Sequence, residues 1–174
     1  MADQPSWKAP KTEDVRTMKT RLAYQDQDTH MTLREGLAEY LASNPDLIDT
    51  GTASSTEMAS YFANHDASHV VFGTTTHIDD ELVQDIWTLL AIDIKYRRYV
   101  GDLVKAKEGL EVAQALPFWG TVKAFFHLVW VMSRLFVRSR RMNRKWPWSG
   151  WEVYLDRPLA DTRKEFSIRV LSGR

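Results

Sequence analysis

The chain is organised around residues 64–81, which read Asn-His-Asp-Ala-Ser-His-Val-Val-Phe-Gly-Thr-Thr-Thr-His-Ile-Asp-Asp-Glu. On a helix, residues four apart lie about 40° apart around the axis, and a neighbouring residue lies about 100° round. His65, Asp66 and His69 therefore share one sector of a predicted helix. Their two imidazoles and one carboxylate can converge on a divalent cation, but solvated histidines on a helix surface would show the same spacing. These three residues alone leave both interpretations open.

The loop after this helix brings a fourth candidate ligand toward the motif. Gly73 and the threonine run after it are expected to end the helix, because glycine readily adopts the conformation found just beyond a helix terminus. Asp79 is then expected to cap a second helix whose opening turn contains Glu81. Two antiparallel helices joined by so short a loop would place the Glu81 carboxylate opposite the histidines. The helix dipole also favours an acid at this position, so the position by itself does not identify a ligand.

The whole pattern is His-Asp-x-x-His, eleven residues, then Glu. Its order and spacing resemble the signature of the Coq-four family of coenzyme Q (ubiquinone) biosynthesis proteins. The residues that match this signature one for one are His65, Asp66, His69 and Glu81. The resemblance implies that these four side chains bind a divalent metal ion, usually taken to be zinc.

The resemblance extends from about residue 32 to residue 170 and rests on helix order outside the motif. Two shorter stretches add to it, His-Val-Val-Phe-Gly at 69–73 and Pro-Leu-Ala-Asp-Thr-Arg-Lys-Glu-Phe at 158–166. Relatives usually carry a longer helical portion before the motif, with a leucine-proline-glycine turn in it. Here residues 49–55 belong to a much shorter segment before the motif. The chain therefore resembles a short, bacterial-type member of the family, in which the part of the substrate site formed by that portion is expected to differ.

Composition indicates one folded domain with two oppositely charged halves. The 174 residues are 44% hydrophobic and 26% charged, which suits a single domain with a sizeable core. No cysteine occurs, which excludes disulfides and thiolate metal sites. Residues 1–93 hold 16 acids against 6 Lys and Arg, whereas residues 94–174 hold 7 acids against 17. This split predicts an acidic side near the motif and a basic side available to phosphate head groups.

The first residues carry no targeting pattern. They lack the charged and apolar regions of a secretory signal, and their acidic residues are atypical of a mitochondrial presequence. We therefore expect a cytoplasmic protein, peripheral to the inner face of the membrane, without signal or transit peptide. Residues 1–28 are polar and are predicted to be a flexible N-terminal segment. Residues 29–174 are predicted to form a single helical domain of the Coq-four type.

Helical signals account for most of that domain. Thr32 and Glu35 have the spacing of a capping box, and a second box at 54–57 opens the helix that carries the motif. A third helix is predicted from about Asp80 to Lys107. Its apolar stripe consists of Leu82, Ile86, Leu89, Leu90, Tyr96, Val100 and Val104. No alternating strand run occurs, so the predicted fold is all-α, a bundle of about five to six helices that includes one long, amphipathic, apolar helix.

The most apolar stretch is 117–137, which comes close to the length of a bilayer span. Lys123, His127 and Arg134 interrupt it, and they project to one side of the helix. This pattern is typical of an interfacial helix, although a core helix with a basic edge or a subunit contact would also show it. The side chains predicted to contact lipid or membrane are Phe118, Trp119, Phe125, Phe126, Trp130, Arg138 and Arg141.

The segment after this helix combines arginines with Trp146, Trp148 and Trp151, as membrane-interface anchors do. Nucleic acid could use the same residue types, but no recognisable binding module accompanies them. We therefore predict a membrane surface rather than a nucleic acid as the partner of this segment.

The leading functional hypothesis is a peripheral, metal-binding protein of ubiquinone biosynthesis. The resemblance implies that it acts on a polyprenylated aromatic ring precursor together with other enzymes of ubiquinone biosynthesis. The implied reaction is an oxidative decarboxylation that replaces the C1 carboxyl group of the ring by a hydroxyl group. An enzyme of this kind would be a metal-dependent ring decarboxylase or hydroxylase-type lyase. Zinc is redox-inert, so iron, manganese or cobalt would suit an oxidative step better.

Two alternatives stay open. The first is a non-catalytic scaffold that binds isoprenoid lipid, holds other biosynthetic enzymes together and uses the metal structurally, with homo-oligomerisation as one form of assembly. The second is a metal-dependent phosphohydrolase built on His65 and Asp66. That class needs a further upstream His and downstream Asp, for which His30 and Asp102 or Asp156 are candidates, and it leaves His69 and Glu81 unused.

Overall fold

The computed structural model describes residues 21–45, 47, 56–94 and 118–171. This part of the chain contains five α-helices, and the mainly helical prediction is confirmed. The helices are α1 (Leu33–Ala42), α2 (Thr56–Phe72), α3 (Ile78–Ala91), α4 (Phe118–Arg140) and α5 (Leu159–Phe166). Short 3-10 turns occupy Ala23–Gln25 and Trp151–Tyr154, and two-residue strands form β1 (Ile92–Asp93) and β2 (Trp146–Pro147).

Helix α1 begins at the predicted capping box and packs closely on α2. The Thr32 hydroxyl accepts from the Glu35 backbone N–H, and the Glu35 carboxylate accepts from the Thr32 N–H at 2.8 Å. Further along α1, a Cβ built on Gly36 would lie 2.7 Å from a methyl carbon of Val70. The absence of a side chain at this position therefore allows the two helices to approach beside the motif.

The turn between α2 and α3 ends the first helix as predicted but caps the second differently. Helix α2 stops before Gly73, which has a φ of 72°, in the left-handed region that favours glycine. Helix α3 already contains Asp79, and His77 occupies its N-cap position. The prediction that Asp79 is the cap is therefore wrong. It is the Asp80 carboxylate that accepts from the backbone N–H and the hydroxyl of Thr75, at 3.0 and 2.9 Å, and so stabilises the loop.

Helix α3 is shorter than its apolar pattern predicts. It ends at Ala91 instead of continuing to Lys107, and residues 95–107 lie outside the described part of the chain. The next residue, Ile92, has an extended backbone and pairs with Trp146 in a parallel ladder between β1 and β2. This pairing with a distant segment replaces further helical hydrogen bonds, and the two-residue strands leave the fold mainly helical, as predicted.

The buried side of α3 is rotated from the predicted stripe. Leu82 and Leu89 are 44% and 38% exposed, whereas Val83 and Trp87 are buried. Trp87 stacks on the Phe72 ring with 4.7 Å between centroids. The buried face also includes polar side chains, which a search for apolar residues passes over. Of the predicted stripe, Tyr96, Val100 and Val104 lie outside the described residues.

The segment before α1 belongs to the core. Tyr24 is fully buried and donates from its phenol to the carbonyl of Thr74 at 2.8 Å. The Glu39 carboxylate accepts from the backbone N–H groups of Ala23 and Tyr24 at 3.0 and 2.9 Å. Residues 21–28 are therefore packed against the domain, which corrects the prediction of a flexible segment up to residue 28. Residues 1–20 lie outside the described residues.

A buried arginine joins α5 to the end of α2. Arg163 is fully buried, and its guanidinium donates to four backbone carbonyl oxygens. The acceptors are Val70 (2.9 Å), Val71 (2.9 Å), Tyr24 (2.6 Å) and Asp26. Burial lowers the Arg163 pKa to about 10, so the side chain stays charged at neutral pH. A cation at this position complements the partial negative charge of a helix C-terminus.

Helix α4 spans 23 residues and packs against α3. Val131 and Leu135 are buried on its inner side. Among the described residues, no helix combines the length and the apolar character that are needed to cross a membrane.

Candidate metal centre

Three of the four predicted ligands come together between α2 and α3. His65 and His69 project from α2, and Glu81 projects from the first turn of α3. One ligand atom of each lies within 4.8 Å of the other two, and in the described part of the chain no other such group of three occurs. The short turn between the helices thus places the carboxylate opposite the imidazoles, as the spacing predicts.

The His69 ring provides the most specific feature of this group. Its Nε2 atom is buried and forms no hydrogen bond with any described residue, while it lies 3.5 Å from Oε1 of Glu81. A metal with bonds of about 2.1 Å and a tetrahedral angle would hold its nitrogen and oxygen ligands about 3.4 Å apart. A buried polar atom without a partner is costly, and the observed separation is one that a cation between the two atoms would satisfy.

Electrostatics keep the donors in the forms that bind metal. Burial, with a smaller contribution from His69, lowers the pKa of His65 to about 4, so this imidazole is neutral at pH 7. Burial raises the pKa of Glu81, whereas its interactions with His69 and His65 in their protonated forms lower it, and the net shift is downward. A neutral imidazole and an ionised carboxylate are the protonation states that ligation requires.

Asp66, the fourth predicted ligand, is not part of the group. Its carboxyl is buried and hydrogen-bonds the phenol of Tyr40, a residue of α1. Burial raises the pKa of Asp66 to about 6. The packing of α1 on α2 thus turns this carboxyl toward Tyr40, and the group between the helices contains three of the four predicted ligands.

Aromatic rings line the group on two sides. The Tyr40 ring stacks on His69 with 5.3 Å between centroids, and the Tyr61 ring stacks on His65 at 6.3 Å. Tyr61 also contacts Trp148 at 5.4 Å. The sequence did not connect Trp148 with the motif, because the two are far apart in the chain.

The tryptophans predicted as membrane anchors belong mainly to the interior. Trp146 is fully buried, and Trp151 is buried with its indole N–H donating to the Asn64 side chain at 2.8 Å. Trp148 is half-buried beside Tyr61. Trp146 packs on Tyr154 and Phe166, whereas Trp148 and Trp151 contact the motif helix. The burial of these side chains corrects the anchor prediction for this segment.

The side chains invoked for a phosphohydrolase do not join the group. His30 is exposed, and the exposed Asp156 pairs with Arg34 at 2.8 Å. Asp102 lies outside the described residues. His69 and Glu81, which that interpretation leaves unused, are members of the group.

The predicted lipid contacts on α4 and directly after it fall into three sets. Trp130 is 52% exposed, with the Arg134 guanidinium 4.4 Å from its ring centroid, and Arg141 is exposed. Arg138 instead donates to the carbonyls of Arg169 and Val170 at 3.1 and 2.8 Å, so it holds the C-terminal segment. The side chains outside the described set are those of Phe118, Trp119, Phe125 and Phe126.

Comparisons of the chain with protein-family models, with curated proteins and with solved structures found no match.

Proposed function

We propose that this protein binds a divalent metal ion through His65, His69 and Glu81, and that the metal centre acts on a polyprenylated aromatic precursor of ubiquinone. The main observation in support of the metal site is the buried Nε2 of His69, which forms no hydrogen bond with a described residue and lies 3.5 Å from Oε1 of Glu81. The quinone precursor rests on the resemblance of the motif to the Coq-four signature.

Three protein ligands favour a catalytic centre over a structural one. Catalytic zinc sites have three protein ligands and keep a further position for water or substrate, and two histidines with one carboxylate also suit non-haem iron. A bound metal would supply Lewis-acid stabilisation of charge at the ring phenolate or carboxylate. Among the metals, iron, manganese or cobalt suits an oxidative step better than zinc does.

The neighbouring side chains have properties that such an enzyme needs. With a pKa near 6, Asp66 can hold or release a proton close to neutral pH, next to His65 in the chain. Tyr61 and Trp148 present aromatic rings beside His65, where they can pack against a substrate ring.

The test is elemental analysis of the purified protein together with single variants. We expect about one equivalent of transition metal in the wild type, and its loss in His65→Ala and Glu81→Ala. The matched control is His77→Ala, which removes an exposed histidine outside the group and should retain the metal. Absence of metal from the wild type after reconstitution with zinc, iron, manganese and cobalt would overturn the proposal, as would equal metal content in all variants.

Activity separates an enzyme from a scaffold with a structural metal. Prenylated hydroxybenzoates incubated with the metal-loaded protein should be converted, and His65→Ala should abolish conversion while circular dichroism and lipid binding stay unchanged. Unchanged turnover in that variant would exclude catalysis at this centre.

The scaffold alternative has one observation of its own, the outer surface of α4. This surface carries large apolar side chains that are about half exposed, among basic ones. They are Val129, Trp130, Met132, Phe136 and Val137; Arg134 and Arg140 are exposed on the same helix, and the exposed Arg141 follows it. Apolar side chains interspersed with arginines are typical of a helix that lies on an anionic membrane.

Vesicle co-sedimentation tests this membrane contact. We expect the protein to sediment with anionic vesicles more than with neutral ones, and Phe136→Ser or Trp130→Ser to weaken sedimentation. Val153→Ser is the matched control, because Val153 is 75% exposed but lies outside α4. Equal effects of all three variants would refute a membrane role for α4, and light scattering that shows a dimer dissociated by Phe136→Ser would assign the surface to a second copy of the chain.

A further inference from the structure

A chain of buried hydrogen bonds reaches the far side of the His69 ring. The Nδ1 atom of His69 lies 2.9 Å from the Thr74 hydroxyl, which lies 2.8 Å from Oε1 of Gln84. The Gln84 amide nitrogen lies 2.8 Å from the hydroxyl of Ser68, and this hydroxyl lies 2.6 Å from the His65 carbonyl oxygen. All of these side chains except that of His65 are buried polar groups, so the chain runs through the interior.

The hydrogen bond between the Ser68 hydroxyl and the His65 carbonyl determines which group donates in each of the other bonds. A backbone carbonyl only accepts, so the Ser68 hydroxyl donates its proton to it and must accept from the amide nitrogen of Gln84. The amide oxygen of Gln84 then accepts the proton of the Thr74 hydroxyl. Because that hydroxyl has given its proton away, it accepts from the ring, and the proton of neutral His69 resides on Nδ1.

The turn after α2 holds the Thr74 hydroxyl in place. The backbone N–H of Thr74 donates to the His69 carbonyl at 3.0 Å, and its own carbonyl accepts from the Tyr24 phenol at 2.8 Å. Both backbone groups of this residue are thereby paired. Its side chain is thus placed by the fold rather than by His69 alone.

We propose that Thr74 and Gln84 are positioning residues that keep the proton of His69 on Nδ1, and so leave the Nε2 lone pair directed at Glu81 for a metal ion. The metal in this statement rests on the proposed function, whereas the position of the proton does not. A histidine that binds a metal through one nitrogen usually donates its other N–H to a neighbouring acceptor, which fixes the ring orientation and makes the ligand more basic.

Nitrogen NMR of the metal-free protein tests the proton position directly. At about pH 8, two-bond proton–nitrogen spectra distinguish the two tautomers of a neutral imidazole. We expect the Nδ1–H form in the wild type and in Thr74→Ser, which keeps the hydroxyl. In Gln84→Leu the Thr74 hydroxyl loses its acceptor and can donate to Nδ1, so the Nε2–H form should gain population. Wild-type protein with its proton on Nε2 would overturn the inference.

Metal affinity measured by competition with a chromophoric chelator gives the second readout. Thr74→Val should weaken cobalt and zinc binding about 10- to 100-fold, and Thr74→Ser should restore most of it. The matched control is Thr162→Val, because Thr162 has a fully buried hydroxyl on α5, outside the chain of hydrogen bonds; it should bind as the wild type does. Equal loss in Thr74→Val and Thr162→Val would show a general effect of packing and refute the positioning role.

The two readouts separate this inference from the proposed function. If the wild type has the proton of His69 on Nδ1 but does not bind metal, the inference about the hydrogen bonds is supported and the proposed metal binding is refuted. If the wild type binds metal but has the proton of His69 on Nε2 in the metal-free state, the proposed metal binding is supported and the positioning roles of Thr74 and Gln84 are refuted.

Discussion

Replacement of Arg163 by methionine should destabilise the protein through its backbone partners. Arg163 is fully buried, and three of its four carbonyl acceptors are buried with it. Methionine fills a similar space but donates no hydrogen bond, so these three oxygens would lose a charged donor in the interior. The substitution thus removes polar pairing while it largely preserves packing.

The size of the effect follows from two opposing contributions. A buried acceptor left unpaired costs roughly 1–3 kcal/mol, so three of them cost about 6 kcal/mol at the middle of that range. Removing the buried cation also relieves its desolvation. Its pKa falls from 12.5 to about 10, which corresponds to roughly 3.5 kcal/mol at about 1.4 kcal/mol per pKa unit. We therefore expect a net loss of about 2.5 kcal/mol in the free energy of unfolding.

Urea denaturation followed by circular dichroism measures this loss. With a slope of about 2 kcal/mol per molar urea, the midpoint should fall by roughly 1.2 M. Lys164→Met is the matched control, since it removes an exposed cation from the next position of the same helix and should change the midpoint little. Arg163→Lys should recover only part of the loss, because an ammonium group lacks the planar fork that reaches several carbonyls.

Equal midpoints for Arg163→Met and the wild type would refute the reasoning. That result would mean that the four carbonyl oxygens find other partners or that the cation costs as much as its bonds contribute. A large loss in Lys164→Met would also contradict it, because the effect would then come from the charge of α5 rather than from the buried bonds.

Three further predictions concern the packing and charge of the motif helix. Gly36→Ala should destabilise the protein by about 1–3 kcal/mol in thermal unfolding, because the added Cβ would overlap Val70, and a native melting temperature would contradict this. Asp66→Asn should stabilise the metal-free protein at pH 7 by on the order of 3 kcal/mol. The Asp66 pKa of about 6 in the folded protein is above the ordinary 3.8, so folding favours the protonated acid. The wild type therefore has its full stability below about pH 4 and loses part of it as the pH rises through 6. A gain in Asp66→Asn that does not depend on pH would refute this prediction. Gly73→Ala and Gly150→Ala both strain a left-handed backbone, by about 1 kcal/mol each, but only the first adds a Cβ within 3.0 Å of another side chain. The first should therefore lower the urea midpoint more, and equal shifts would show that the contact is immaterial.

The local part of the site could be predicted from the sequence. His65 and His69 are four residues apart on one helix, so their convergence follows from helical geometry alone. Glu81 follows a turn that Gly73 opens, and a short turn between two helices leaves few places for the next side chain. These relations depend only on residues close together in the chain.

The parts that could not be predicted depend on distant elements. Asp66 turns to Tyr40 because α1 packs on α2 at Gly36, and nothing near the motif indicates this contact. Helix α3 stops at Ala91 because β1 pairs with β2, although its apolar pattern continues.

The sequence by itself determined a mainly helical chain and the spacing of His65, Asp66, His69 and Glu81, since both come from periodicity and from the chemistry of single residues. Only the tertiary structure decided which nitrogen of His69 faces Glu81, because that depends on the bonds of Thr74 and Gln84 behind the ring. Helical periodicity fixes the angles between neighbours along the chain. The side chains that a given face will meet are set by long-range packing, which has no local signature.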